Sequence, residues 1–135
     1  MNSSSLSAAE KSLMLEAARE AAGRAYAPYS NFRVGAAVLT EKGNLFTGGN
    51  VENASYGLSI CAERAAVFAA VAAEGSGMKI RALAVFTESE APCSPCGACR
   101  QVILEFGLKA RVFYKGPDGL KEAEITELLP ERFKL

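Results

Sequence analysis

Four cysteines and one glutamate are the residues of this sequence best suited to chemistry. Cys96 and Cys99 form a Cys-x-x-Cys pair, Cys61 precedes Glu63 by two residues, and Cys93 lies just before the pair. Histidine is absent from all 135 residues. Histidine-dependent hydrolases and histidine-ligated metal sites are therefore excluded, and any reaction must use thiols, carboxylates, lysine, arginine or tyrosine.

The spacing of three of these cysteines predicts a catalytic zinc site. Cys96 and Cys99 span the predicted start of one helix and Cys61 the start of another, so three thiols can reach one ion. A catalytic zinc ion takes three protein ligands and keeps its fourth position for water. Helix N-termini carry about half a positive charge, which favours thiolate over thiol.

Glu63 and Arg64 are predicted to act beside this ion. Glu63 lies in the first helical turn, where its carboxylate can take a proton from zinc-bound water, whose pKa falls to about 7. Three thiolates leave a divalent ion with a net negative charge. Arg64 is therefore expected to donate a hydrogen bond to a ligand sulfur and to offset that charge.

Other uses of the cysteines remain open at this point. Cys93 could complete a structural site of four thiolates, which would leave no position for water. A redox dithiol is a second alternative. An iron–sulfur cluster of bacterial type would need a further cysteine where Ile103 stands. Glu63 could also be an ordinary first-turn glutamate that is favoured by the helix dipole alone.

The elements that position these residues follow an α/β order in a single domain, residues 1–135. Ser7 and Glu10 form a capping box that opens a helix ending near residue 23 or 24. The remaining pattern predicts hairpin strands 33–40 and 44–48, helix 61–74, strand 80–87, helix 97–106, strands 111–115 and 121–125, and a short last turn capped by Thr126.

Two successive strand–helix–strand units explain how the cysteines could meet. Such crossovers make their flanking strands parallel and their connections right-handed, so both helices begin at the same edge of the sheet. Open α/β sheets bind their ligands at that edge. If strands 44–48 and 80–87 are neighbours, the two helix starts face each other across it.

The composition indicates which kind of ligand and which cellular compartment to expect. Lysine plus arginine and aspartate plus glutamate both number 15, and no block of like charge occurs, so a nucleic-acid partner is not expected. A small and nearly neutral ligand fits better. The polar, serine-rich start is unlike a secretory leader, and no apolar run is long enough to span a membrane. We therefore expect a cytoplasmic protein with reduced thiols.

The pieces Cys-Ala-Glu and Pro-Cys-Gly-Ala-Cys have the spacing of zinc-dependent deaminases. Over nearly its whole length the chain resembles the short, homotetrameric, zinc-dependent cytidine deaminases. The resemblance is carried by AYAPYSNF (25–32), VGAA (34–37), NVENASY (50–56), CAER (61–64) and SPCGACRQV (94–102). It implies a three-layer α/β/α sandwich with a five-stranded mixed sheet. It also implies hydrolysis of cytidine and deoxycytidine to uridine and deoxyuridine in pyrimidine salvage, with release of ammonia.

The resemblance also implies roles for individual residues. Cys61, Cys96 and Cys99 would hold one Zn²⁺ per subunit, and Glu63 would shuttle protons. Asn50 and Glu52 would bind the ribose hydroxyls and Phe32 would pack on the pyrimidine. Further pocket positions would be Ala54, Tyr56, Ala62 and the carboxyl-terminal Phe133, with Tyr56 and Phe133 acting across a subunit boundary. Cys93 departs from the family pattern and is expected not to be a ligand.

The sequence also leaves alternatives open for the oligomeric state and for the function. Helix 61–74 is apolar around most of its circumference, which indicates a subunit interface and agrees with a homotetramer. Cover by the chain's own sheet and helices would explain the same pattern. A zinc-stabilised interaction module and a deaminase of another amine-bearing base or antibiotic are the alternatives to a cytidine deaminase.

Overall fold

The computed structural model describes residues 6–133. Their elements are α1 (Ala8–Ala22), β1 (Val34–Thr40), β2 (Leu45–Gly49), α2 (Ala62–Glu74), β3 (Ile80–Thr87), α3 (Gly97–Phe106), β4 (Arg111–Gly116), β5 (Gly119–Glu124) and α4 (Ile125–Leu128). Most of these bounds lie within one or two residues of those predicted from the sequence, because local caps and turns determine them. The predicted capping box is present at α1, where Ser7 Oγ accepts from the Glu10 amide at 3.1 Å. Across these residues, no helix has the length and apolar character that crossing a membrane requires.

The five strands form one mixed sheet in the order β2-β1-β3-β4-β5. β1 pairs antiparallel with both β2 and β3, β3 pairs parallel with β4, and β5 is antiparallel to β4. The expectation that strands 44–48 and 80–87 are neighbours is wrong, because β1 lies between them. They still run in the same direction, since each is antiparallel to β1. Their carboxyl ends therefore reach the same edge of the sheet.

Helices cover both faces of the sheet, as predicted for a three-layer sandwich. On one face Met14 and Ala18 of α1 pack with alternate residues of β1 and β3, such as Ala37 and Ala84. On the other face α2 and α3 build the larger core, which includes Val38, Leu83, Ala66, Val67 and Ile103. The side chains of successive strand residues point to opposite faces, so both cores draw on the same strands.

Two glycines let the helices approach the sheet closely. A Cβ atom at Gly35 would overlap the Ala18 carbonyl oxygen and the Ala22 nitrogen of α1. A Cβ atom at Gly48 would lie 2.6 Å from the Ala66 nitrogen of α2. Both contacts are with helix backbone, which cannot move aside as a flexible side chain can. α1 and α2 therefore pack closely against opposite faces of the β1–β2 hairpin.

The end of the described chain differs from the prediction. β5 covers Gly119–Glu124 rather than 121–125, and Glu124, not Thr126, caps the short helix α4. The Glu124 amide donates to Glu127 Oε1 at 3.0 Å, and the Glu124 carboxylate accepts from the amide of Glu127. A glutamate pair thus performs the reciprocal capping that a threonine was expected to begin.

Candidate active site

Three cysteine sulfurs converge where two helices begin. Cys61 is the N-cap of α2, Cys96 is the N-cap of α3, and Cys99 lies in the first turn of α3. Their three Sγ atoms all lie within 4.8 Å of one another, and those of Cys61 and Cys96 are 3.9 Å apart. Neither N-cap thiol bonds to its own helix backbone. Both thiols are therefore available to a ligand.

The donor set fits a zinc ion. Two sulfurs bound at about 2.3 Å with a tetrahedral angle at the metal are about 3.8 Å apart. The 3.9 Å separation of the Cys61 and Cys96 sulfurs agrees with this value. Exposure is graded across the group: Cys99 is buried, Cys61 is half-buried and Cys96 is exposed. The side towards Cys96 is thus where a water or substrate could enter.

Hydrogen bonding and charge favour a thiolate at this cluster. The hydrogen bond from the Cys99 thiol, followed by that from the Arg64 guanidinium, lowers the pKa of Cys61 to about 5. The same sharing raises the pKa of Cys99, because its proton is held between the two sulfurs. One negative charge is therefore already present at neutral pH. A zinc ion would displace the remaining protons, since only thiolates are its ligands.

Cys93 lies outside this group. Among residues 6–133, Cys61, Cys96 and Cys99 form the group of potential ligand atoms, and Cys93 is not a member. Its amide instead donates to the Lys115 carbonyl at 2.8 Å, and its thiol is half-buried. Burial, reinforced by the negative charge of Glu63, raises the pKa of Cys93 to about 11. This geometry argues against the four-thiolate alternative.

Glu63 is a buried carboxyl group beside the sulfurs. It lies in the first turn of α2, its residue is only 5% exposed, and it is not part of the ligand group. Burial is the main cause that raises the pKa of Glu63 to about 7, and the negative charge of Cys61 acts in the same direction. A carboxyl group with this pKa can both accept and return a proton at neutral pH, which is what general acid–base catalysis requires.

Arg64 donates a hydrogen bond to the cysteine cluster. Its Nη2 donates to Cys61 Sγ at 3.4 Å, which is the kind of contact expected from the sequence. Its Nε is buried and has no hydrogen-bond partner among residues 6–133. The thiolate beside it raises the pKa of Arg64 further, so the guanidinium stays charged. The effect of this charge on zinc binding stays a prediction.

Asn50 has a structural task that the sequence did not indicate. Its Nδ2 donates to the Phe32 carbonyl at 2.9 Å and its Oδ1 accepts from the Val34 amide at 2.9 Å. Both partners lie at the entrance of β1. The amide therefore fixes the chain that carries Phe32, which is half-buried and packs against the larger core. No local pattern links position 50 to positions 32 and 34.

Glu52 likewise has a structural role, because its side chain holds the turn that contains Tyr29 and Ser30. Its Oε1 accepts from the amides of Tyr29 and Ser30 at 2.9 and 3.1 Å, and its Oε2 accepts from the Ser30 hydroxyl. These bonds, with that from the Ser30 hydroxyl the strongest, lower the pKa of Glu52. The Ser30 hydroxyl also accepts from the Phe32 amide at 3.0 Å. Ser30 therefore joins two positions assigned to substrate by resemblance.

A cleft of about 250 Å³ lies next to Glu52, and part of its lining was not foreseen. It is lined by Tyr29, Ser30, Glu52, Tyr56 and Ser59. Tyr29, Ser30 and Ser59 were missed because hydroxyl-bearing residues in turns carry no specific spacing. The Tyr29 and Tyr56 rings meet edge to face, with centroids 6.3 Å apart.

The remaining predicted pocket positions differ widely in exposure. Ala62 is fully buried, so only its backbone could meet a ligand. Ala54 is exposed, and Tyr56 is 78% exposed despite its contact with Tyr29. Phe133 is 72% exposed, with its carbonyl accepting from Gln101 Nε2 at 3.5 Å. Within one chain, therefore, neither Tyr56 nor Phe133 is enclosed.

Comparison with known proteins agrees with this site. The family model for the cytidine and deoxycytidylate deaminase zinc-binding region matches residues 8–115. A cytidine deaminase of Sporosarcina psychrophila is 43% identical over 125 residues, covering 89% of this chain and 88% of that protein. The crystal structure of cytidine deaminase from Burkholderia pseudomallei superposes with a TM-score of 0.80 at 47% identity, covering 90% of this chain and 98% of that one. For cytidine deaminase from Mycobacterium tuberculosis the TM-score is 0.82 at 40% identity, covering 93% and 98%.

Proposed function

Because this chain belongs to the zinc-binding cytidine and deoxycytidylate deaminase family, we propose that it hydrolyses cytidine and deoxycytidine to uridine and deoxyuridine. The chain is a zinc-dependent hydrolase of the cytidine deaminase type. The observation that carries the proposal is the convergence of three cysteine sulfurs at two helix starts, with a buried glutamate directly beside them.

Glu63 moves the protons of this reaction. Cys61, Cys96 and Cys99 would hold the zinc ion, which when bound would make a water molecule acidic enough to deprotonate near neutral pH. The Glu63 carboxylate takes that proton and delivers it to the ring nitrogen, while the water oxygen bonds to the ring carbon that carries the amine. Glu63 then takes the second proton of the same oxygen and delivers it to the amine, and the carbon–nitrogen bond breaks to release ammonia. Water and cytidine are thereby converted into uridine and ammonia.

Arg64 tunes the metal centre in this scheme. Its guanidinium donates to Cys61 Sγ at 3.4 Å and places positive charge next to a ligand thiolate. Three thiolates would otherwise leave the centre with a net negative charge and a weaker ability to acidify water. Groups that hydrogen-bond metal ligands commonly tune both metal affinity and the chemistry of bound water.

Asn50 and Glu52 bind the sugar hydroxyls. Both already hold the 29–34 segment, yet each has capacity left. Asn50 has used one of its two side-chain N–H groups, and Glu52 Oε2 has used one of its lone pairs. The adjoining cleft is lined by a carboxylate and hydroxyls, and the part of the chain that the structure describes contributes no lysine or arginine to its lining. This chemistry favours a neutral nucleoside over a nucleotide, with Phe32 packed on the base.

Subunits complete the pocket. Phe68 is 48% exposed on α2, and Tyr56 and Leu58 are 78% and 67% exposed beside the cleft, which supports a homotetramer that covers them. Tyr56 and Phe133 then close a neighbouring subunit's site, with Ala54 and Ala62 lining it from the backbone. A mass in solution equal to that of one 14.2 kDa chain would contradict this assembly.

The cellular setting follows from the chemistry. Zinc needs all three thiols reduced, which suits the cytoplasm. A free nucleoside substrate suits pyrimidine salvage, and the balanced net charge gives no support for nucleic acid as a partner.

The proposal is tested with purified protein, cytidine and a metal assay. Conversion is followed by the change in ultraviolet absorbance, and zinc is counted per chain. Cys61→Ala should lose both zinc and turnover, whereas the matched control Cys93→Ser should keep both. Zinc retained in Cys61→Ala, or lost in Cys93→Ser, would contradict the assigned ligand set. Free cytosine deaminated as fast as cytidine would contradict the role of Asn50 and Glu52.

A further inference from the structure

Arg100 connects the loop that leads into α3, which contains Ser94, Pro95 and Cys96, to the end of α4. It follows the ligand Cys99 in α3, and its side chain is half-buried. Its Nε donates to the Pro95 carbonyl at 2.7 Å, its Nη1 to the Leu128 carbonyl at 2.9 Å, and its Nη2 to Ser94 Oγ at 3.4 Å. The planar guanidinium holds these three donors in a fixed fork, so the acceptors are fixed relative to one another.

We propose that Arg100 is a positioning residue that holds Cys96 in the geometry required for zinc. This inference rests on the zinc-binding part of the proposed function. Cys96 is the exposed member of the three ligands and belongs to a loop at the N-cap of α3, whereas Cys99 is buried within the helix. Cys96 therefore depends most on support from outside its own helix.

The 2.7 Å bond acts directly on the backbone of Cys96. The Pro95 carbonyl belongs to the peptide group that joins Pro95 to Cys96. Because that group is planar, fixing its oxygen also fixes the direction of the Cys96 nitrogen and Cα. Pro95 is itself fully buried, so the residue that carries this carbonyl is also held by packing.

The Nη1 group of Arg100 donates to a helix, α4, that is itself anchored in the core. Leu128 is the last residue of α4, and its carbonyl is one that a helix end leaves without an internal partner. α4 is anchored by Ile125, which is fully buried and whose amide donates to the Ala110 carbonyl at 2.9 Å. Arg100 thus fixes the loop relative to the core rather than to another loop.

The test compares zinc retention with the stability of the fold. Arg100→Gln should bind zinc about 10- to 100-fold more weakly in chelator competition, the range typical of lost support around metal ligands. Relative to the parent in the same state, its zinc-free form should lose less stability than its zinc-loaded form, because only the loaded form also loses support for the ligand Cys96. Arg100→Lys should be intermediate, because an ammonium can reach one carbonyl but lacks the fork. The matched control is Arg19→Gln, whose arginine is exposed and pairs with the exposed Glu16 at 3.7 Å.

Several results would overturn the proposal. One is a zinc affinity for Arg100→Gln within about twofold of the Arg19→Gln affinity. Another is equal destabilisation of the zinc-free and zinc-loaded forms, which would indicate a purely structural role. If Arg100→Gln does not fold, Arg100→Lys decides by the same two measurements. A parent protein that binds no zinc would instead refute the proposed function itself.

Discussion

Replacing Glu63 by glutamine should have opposite effects on stability and on activity. Glu63 is 5% exposed, and burial raises its pKa to about 7 from the ordinary 4.5. At 1.36 kcal/mol per pKa unit, this increase means that ionising Glu63 in the folded, zinc-free chain costs about 3 kcal/mol more than in the unfolded chain. Glutamine has nearly the same shape and stays neutral.

Proton linkage determines how the stability difference between Glu63→Gln and the parent changes with pH. A carboxyl group whose pKa is raised in the folded state contributes full stability below pH 4.5, and the contribution is lost as pH rises through about 7. Zinc-free Glu63→Gln should therefore match the zinc-free parent in acid. By pH 8 its free energy of unfolding should be higher than that of the parent by up to about 3 kcal/mol.

The same substitution removes the group that moves protons. With zinc present, kcat for cytidine should fall by about 10²- to 10⁴-fold, while zinc content stays unchanged because Glu63 is not a ligand. Urea unfolding with a chelator at pH 4.5 and pH 8 measures the stability change, and ultraviolet absorbance measures turnover. Retention of kcat within tenfold of the parent would refute the acid–base role. A stability difference that does not vary with pH would refute the buried-charge argument.

Three further substitutions test separate parts of the site and the fold. Arg64→Gln should weaken zinc binding by about 10- to 100-fold in chelator competition, and more at low pH, because the pKa of Cys61 loses the support of a positive charge. Asn50→Ala should raise KM for cytidine and cost about 1–3 kcal/mol in urea unfolding, because the Val34 amide loses its acceptor. Gly35→Ala should lower the free energy of unfolding by about 1–3 kcal/mol or more, because the new methyl group meets the backbone of α1. Gly77→Ala is its control, since a Cβ atom there meets nothing within 4 Å.

Part of this protein could be predicted from local sequence alone. Ser7 and Glu10 lie one helical turn apart, so their capping box is visible in the sequence and marks the start of α1. Glycine follows the last residue of each of α1, α2 and α3, which made their ends visible too. The Cys-x-Glu and Cys-x-x-Cys spacings placed the candidate ligands at helix starts for the same reason.

Tertiary structure decided what depends on residues far apart in sequence. The insertion of β1 between β2 and β3 pairs residues such as Val34 and Thr87, and a hairpin does not reveal on which side its next neighbour will pair. The attachment of the 29–34 turn to Asn50 and Glu52, and of the Cys96 loop to α4 through Arg100, also arises only once strands are ordered. Capping and turn formation involve partners within one helical turn, so the sequence displays them directly. Strand order and cross-chain hydrogen bonds depend on which arrangement buries the two apolar cores together, and that is a property of the whole chain.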